Sequence, residues 1–114
     1  MRGYGAYHRV QNASEPPRNV ERRLLGTVTA SLMQARETPA DLQMRFDALL
    51  WNKKVWDNLA FEVLEDANRL PKELRGSVVN LAAWINGETA RAMDGHSDLD
   101  MLIEINQTVM EGLA

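Results

Sequence analysis

Residues 42–64 read LQMRFDALLWNKKVWDNLAFEVL, and the fold of the whole chain turns on how this stretch is read. Stepped at about 100° per residue, Leu42, Phe46, Leu49, Leu50, Trp56, Ala60 and Leu64 fall on one broad helical face. Met44, Ala48, Trp51 and Val55 form a second apolar row on the opposite side. A surface helix carries one stripe and a solvated back. Two rows in the first half of one helix need neighbours on both sides, or neighbours on one side and a partner on the other. Lys53 interrupts the main face, where its long stem can lie along apolar surface while the ammonium reaches water.

Upstream, Thr38-Pro39 closes one helix and opens the next, because a residue before proline avoids the α region. Thr38 is the expected cap, with Pro39 at the first helical position and Asp41 as a capping-box-like carboxylate. The preceding helix begins around Glu15-Pro16-Pro17, with Ser14 or Glu15 near its cap. It presents Val20, Leu24, Val28, Ser31, Leu32 and Ala35 on one face, flanked by Leu25. Residues 1–14 are rich in small and polar residues without periodicity and read as an arm. Its Tyr4 and Tyr7 are amphipathic rings that fold either onto the parent domain or onto a partner.

Downstream, the second helix runs to about Glu65, and Asp66-Ala67-Asn68-Arg69 is a polar joint. Pro71 sits in the first turn of a third helix that aligns Leu74, Val78, Leu81, Ile85 and Ala92, with Ala82 and Trp84 flanking. Asn86-Gly87 is a candidate kink. Asp94-Gly95 is a stop, with Gly95 suited to a left-handed closing position. Ser97-Asp98-Leu99-Asp100 reads as the next cap. The last helix shows Leu99, Leu102, Ile103, Val109, Met110 and Leu113 on its apolar face. Asn106 lies in the middle of that face, where a buried amide must find partners, and it is expected to fix the register against another helix. No strand alternation and no repeat is present. The expectation is an all-α chain: residues 1–14 an arm, mobile or loosely docked, and residues 15–114 one helical domain, a small irregular bundle of four main helices.

With 114 residues and 45% hydrophobic content, one modest core is affordable without staples. There are no cysteines, which excludes disulfides and thiolate metal sites and fits a reducing cytoplasm. The start lacks the continuous apolar core of a signal peptide, and no run is long enough to span a membrane. The net charge of −3 is uneven: residues 1–23 hold five arginines against two glutamates, and residues 94–114 hold five acids and no Lys or Arg. One solvated basic end and one solvated acidic helix account for that asymmetry. Arg18, Arg22 and Arg23, with Arg2 and Arg9, are the candidates for phosphate contacts. A pI near 5.3 and the absence of a reading motif argue against direct RNA or DNA binding.

Catalytic chemistry has no foothold. His8 and His96 stand at opposite ends of the chain, and neither has a partner at metal-ligand spacing. Asp94, His96, Asp98 and Asp100 are close in sequence but lack the glycine and terminal glutamate of a calcium loop. Gly3-Tyr4-Gly5 precedes no phosphate cradle, and no serine has a histidine–acid arrangement nearby. Glu65-Asp66 falls in a polar joint rather than an apolar pocket that raises a pKa. The chain is expected to be a non-enzymatic binding protein with no cofactor and no metal.

Leu50-Trp51, Trp56 and Leu59, then Asn68-Arg69-Leu70-Pro71 with Leu74-Arg75, resemble the FlaF family of small bacterial flagellar biosynthesis regulators. Trp84 stands where that family often has an aromatic residue, and Leu102-Ile103-Glu104-Ile105-Asn106 through Gly112-Leu113 is similar to the family's end. The likeness covers nearly the whole chain; the opening Met1-Arg2-Gly3, the pair Pro16-Pro17 and Gly76 depart from it. The resemblance implies a cytoplasmic, non-enzymatic role in flagellin production, as a flagellin secretion chaperone and positive regulator that works with or against the flagellin-message repressor FlbT. On that basis flagellin is the expected partner. Met44, Trp51 and Val55 are the candidate contact residues, with Tyr4 and Tyr7 closing over the partner. The rival for the same row is burial beneath the first or last helix. Rival functions are post-transcriptional action on flagellin mRNA, directly or through FlbT, and a homo-oligomeric scaffold; the oligomeric state itself stays open.

Overall fold

Thr38-Pro39 and Asp94-Gly95 each separate two helices in the computed structural model, which describes residues 17–64, 71–95 and 97–113. Four α-helices make up the described residues: α1 (Pro17–Glu37), α2 (Leu42–Val63), α3 (Lys72–Met93) and α4 (Asp100–Leu113). No strand occurs among them. α2 packs against α1 on one side and α3 on the other. α1 also runs against α4, whereas α3 meets α4 only briefly. This is the expected all-α bundle. Ser14, Glu15, Pro16, Tyr4, Tyr7, the joint at 66–69 and His96 lie outside the described residues.

The helix ends follow local chemistry, with two corrections. Thr38 does not cap α2. Pro39 instead occupies the second position of a turn closed by the Asp41 amide donating to the Thr38 carbonyl at 3.0 Å. Asp41 is the cap: its carboxylate accepts from the Met44 amide at 2.9 Å, so the helix begins at Leu42. Likewise Ser97 does not cap α4; Asp98 Oδ1 accepts from the Asp100 amide at 3.1 Å. α3 runs unbroken through Asn86-Gly87 to Met93, because packing on one face outweighs a single glycine. Gly95 then adopts φ +79°, the left-handed closing position that glycine enters without a Cβ penalty.

The core joins Leu25, Val28, Leu32 and Ala35 of α1 to Ala48, Leu49, Val55, Trp56, Leu59 and Val63 of α2, and Val78, Ala82, Ile85 and Ala92 of α3. Leu99 and, from α4, Leu102, Ile103 and Val109 complete it. α2 buries the face that lies between the two apolar rows, taking Leu49 and Trp56 from the first and Ala48 and Val55 from the second. Leu42, Leu64 and Phe61 are 62%, 68% and 67% exposed, and Phe46 and Leu50 are also at the surface. The buried stripe is Ala48, Leu49, Asn52, Val55, Trp56, Leu59 and Val63, centred on the polar Asn52. The second row divides accordingly: Ala48 and Val55 go inside, Trp51 stays at the surface and Met44 is half-buried against the core.

Two arginines tie helix ends together. Arg45 Nη2 donates to the Ala92 carbonyl at 3.2 Å and the Ser97 carbonyl at 3.0 Å, pinning the α3–α4 turn to the start of α2. Arg75 Nε donates to the Val63 carbonyl at 2.8 Å and so occupies an end carbonyl of α2.

Candidate partner-binding groove

The first turns of α1 lie beside the second half of α2, and between them is an open groove of about 610 Å³. Its size falls in the range of ordinary ligand pockets. Val20 and Leu24, one turn apart, form one wall. Val55 and Leu59, also one turn apart, form the other, with fully buried Leu25 contributing to the floor. Trp51 stands one turn before Val55 and leaves 39% of its surface open. Lys54, Asn58 and Glu62 line the solvent side, and the buried Glu21 belongs to the α1 wall.

A polar chain in the core beneath sets this geometry. Trp56 Nε1 donates to Asn106 Oδ1 at 2.8 Å, and Asn106 Nδ2 donates to Asn52 Oδ1 at 2.8 Å. All three residues are fully buried. The direction of the chain is forced, because an indole N–H can only donate. Asn52 Nδ2 is left without an acceptor. α2 and α4 are not among the closely packed helix pairs, and these side chains link them across the core. Holding Asn52 inward fixes the rotation of α2. Trp51, about 100° away around the helix, is thereby turned to the groove. Asn106 does what its position in a clean apolar stripe predicts, and its partner Asn52, not singled out from the sequence, stands at the centre of the buried stripe of α2.

Of the residues singled out from sequence, Trp51 and Val55 come together in this groove. Met44 is not part of its lining, and Tyr4 and Tyr7 lie outside the described residues. Val20, Leu24 and Leu59 join the site unannounced, since their spacing marks them equally well as core.

A second apolar surface runs along the outer side of α2 through Phe46, Leu50, Phe61 and Leu64. It is interrupted by Lys53 and Asp57, paired at 2.8 Å, and Asp57 also accepts from Asn86 Nδ2 of α3 at 3.3 Å. The Lys53 hydrogen bond holds the Asp57 carboxyl below its usual value, helped by Asn86 and opposed by burial. The candidate phosphate ligands Arg22 and Arg23 border a shallow depression between α1 and α4 with Asn19, Gly26, Thr27 and Met110. At the far end of the same helix pair, Arg36 bridges to Asp100 at 2.9 Å, so basic α1 uses one of its charges on acidic α4. No described cluster of three acidic or histidine side chains is arranged to hold a metal ion. No helix among the described residues is long and apolar enough to cross a membrane.

Fold and groove together define a small domain that is helical throughout its described elements, with an apolar cleft between α1 and α2. The family model for Flagellar protein FlaF matches residues 4–113, nearly the whole length, and the chain belongs to that family. It is thus a flagellar protein. No match was found among curated proteins or among solved structures.

Proposed function

We propose that this protein is a cytoplasmic, non-enzymatic flagellin chaperone and positive regulator of flagellin synthesis and export, which grips an apolar helical segment of the unassembled subunit in the α1–α2 groove. The observation that carries this reading is Trp51, a large aromatic side chain held half-open over a wall of Val20, Leu24, Val55 and Leu59. A helix laid into such a cleft buries its apolar stripe on the walls and leaves its polar side to the rim. An export chaperone has no bond to make or break; it needs surface that covers grease until the filament end supplies a better partner. FlbT is the rival occupant for the same surface.

The test is titration of purified flagellin, and separately of FlbT, into the wild-type protein and Trp51→Ser. Because Trp51 is not core, the variant keeps the wild-type helical spectrum and unfolding midpoint. A central tryptophan in an interface contributes about 2 kcal/mol or more, so flagellin affinity falls roughly 30-fold or more. Undiminished flagellin binding by a folded Trp51→Ser removes the groove from the account. Tight binding of FlbT with none of flagellin transfers the groove to the repressor.

A further inference from the structure

Arg45 and Arg75 set α2 and α3 side by side and antiparallel, the first bonded to the carbonyl of Ala92 and the second to that of Val63. Asp57 and Asn86 meet across one side of this pair. On that side α2 carries a ridge. Phe46, Leu50, Phe61 and Leu64 lie within about 60° of Asp57 around the helix, and all four are exposed. α3 carries a furrow beside it. Val79, Ala83 and Ala90 lie within about 60° of Asn86, all at the surface, with Gly76 and Gly87 just beyond. A Cβ added at either glycine would meet nothing within 4 Å. We infer that this face is the contact between two copies of the chain, related by a two-fold axis along the seam of α2 and α3, so that the ridge of each copy lies in the furrow of the other. The inference does not rest on the chaperone reading: Trp51 is about 120° from Asp57 around α2, so the α1–α2 groove stays open in such a dimer.

Shape, area and charge favour a second copy as the occupant. An isologous contact needs one patch that complements itself, and a ridge alongside a furrow does so under that rotation. The rotation moves nothing along the helices, so the register within one copy fixes the register between two. The arginine bonds place Leu50 within about a turn of the level of Gly87, and Phe61 within about a turn of that of Gly76. Two bulky side chains of one copy thus come down where the other has no side chain at all. Glycine inside a helix weakens it, and the space above Gly76 and Gly87 shows no neighbour in their own copy that requires it. Close approach of a second helix does. The exposed apolar side chains of two copies, Leu42 and Val79 included, offer roughly 1,000 Å² to cover, about the least that a specific contact needs. That size suits a reversible dimer with a dissociation constant of about micromolar order. Charge raises no barrier: Lys53 and Asp57, within the ridge, are paired at 2.8 Å and bring no net charge to the contact.

Sedimentation equilibrium of the full-length chain, from about 1 to about 200 μM, is the test. The expected result is a mass that rises from one chain toward two across that range. Leu50→Glu on the ridge and Ala83→Arg in the furrow each weaken the dimer at least about tenfold. Both keep the wild-type helical spectrum, because both positions are already at the surface. Trp51→Ser dimerises as the wild type does. A wild-type chain that stays monomeric at every concentration overturns the inference. A dimer that survives Leu50→Glu, or is lost in Trp51→Ser, puts the contact on another face and overturns it too. A dimer lost in Leu50→Glu but kept in Ala83→Arg overturns the ridge-in-furrow pairing and sets α2 against α2. Failure of flagellin to bind the groove changes none of these masses, so the two readings fall separately.

Discussion

Asn106 shows how much one buried amide decides. It accepts from Trp56 and donates to Asn52 in the middle of the bundle. Asn106→Ala leaves the indole N–H and the Asn52 carbonyl oxygen unpaired in a dry core and opens a small cavity. Each stranded group costs about 1–3 kcal/mol, so a total of about 2–4 kcal/mol is expected in urea unfolding. Asn52→Ala is milder. It strands only Asn106 Nδ2 and removes an Nδ2 that already lacks an acceptor. Equal costs for the two substitutions contradict this ordering. The sequence reveals Asn106 because a lone amide interrupts a clean apolar stripe. Asn52 also interrupts an apolar stripe, Ala48, Leu49, Val55, Trp56, Leu59 and Val63, but the competing apolar surface elsewhere on α2 and the adjacent Lys53 and Lys54 hide it. Its partner Asn106 is more than fifty positions away and on a different helix.

At the scale of the element, punctuation reads well and rotation reads badly. Pro39, Pro71 and Gly95 act locally, through a fixed φ, a missing N–H or a permitted left-handed backbone, so their effects depend on no distant partner. The rotation of α2 depends on everything around it. Leu42, Phe46, Leu50 and Leu64 of the broad face stay at the surface, while Leu49 and Trp56 of that same face turn inward with Ala48, Asn52, Val55, Leu59 and Val63. Arg45 is likewise invisible in the sequence as a clamp, because its two acceptors are main-chain carbonyls that any residue supplies. Arg45→Met keeps the stem and deletes the bonds to Ala92 and Ser97. Charged hydrogen bonds of this kind contribute about 1.5–3 kcal/mol. The loss is expected to appear locally, as faster amide exchange at Gly95, Leu99 and Asp100 with α1 little changed. Unchanged protection in that turn means the arginine is not what holds it.

For the whole molecule, the three tryptophans report three surfaces. Trp56 is sealed in the core, while Trp51 over the groove and Trp84 on α3 each expose 39%. The chain was legible in outline because helix number, boundaries and apolar content are local properties; the groove was not, because it belongs to two helices at once. Trp51 and Val55 were visible as surplus apolar surface, but Val20 and Leu24 become walls only when α1 is laid beside α2. The surfaces also separate the possible uses of the fold. A helix gripped in the cleft shields Trp51 alone. A partner on the opposite side of α2, over Phe61 and Leu64, shields neither exposed tryptophan but covers more grease. Collisional quenching by iodide, followed in Trp51→Phe and Trp84→Phe variants, distinguishes them. With flagellin bound, the quenching constant of the Trp51 signal is expected to fall severalfold while that of Trp84 holds and that of Trp56 stays near zero. Protection of Trp84 instead assigns the contact to α3, and protection of neither assigns it to the outer stripe of α2.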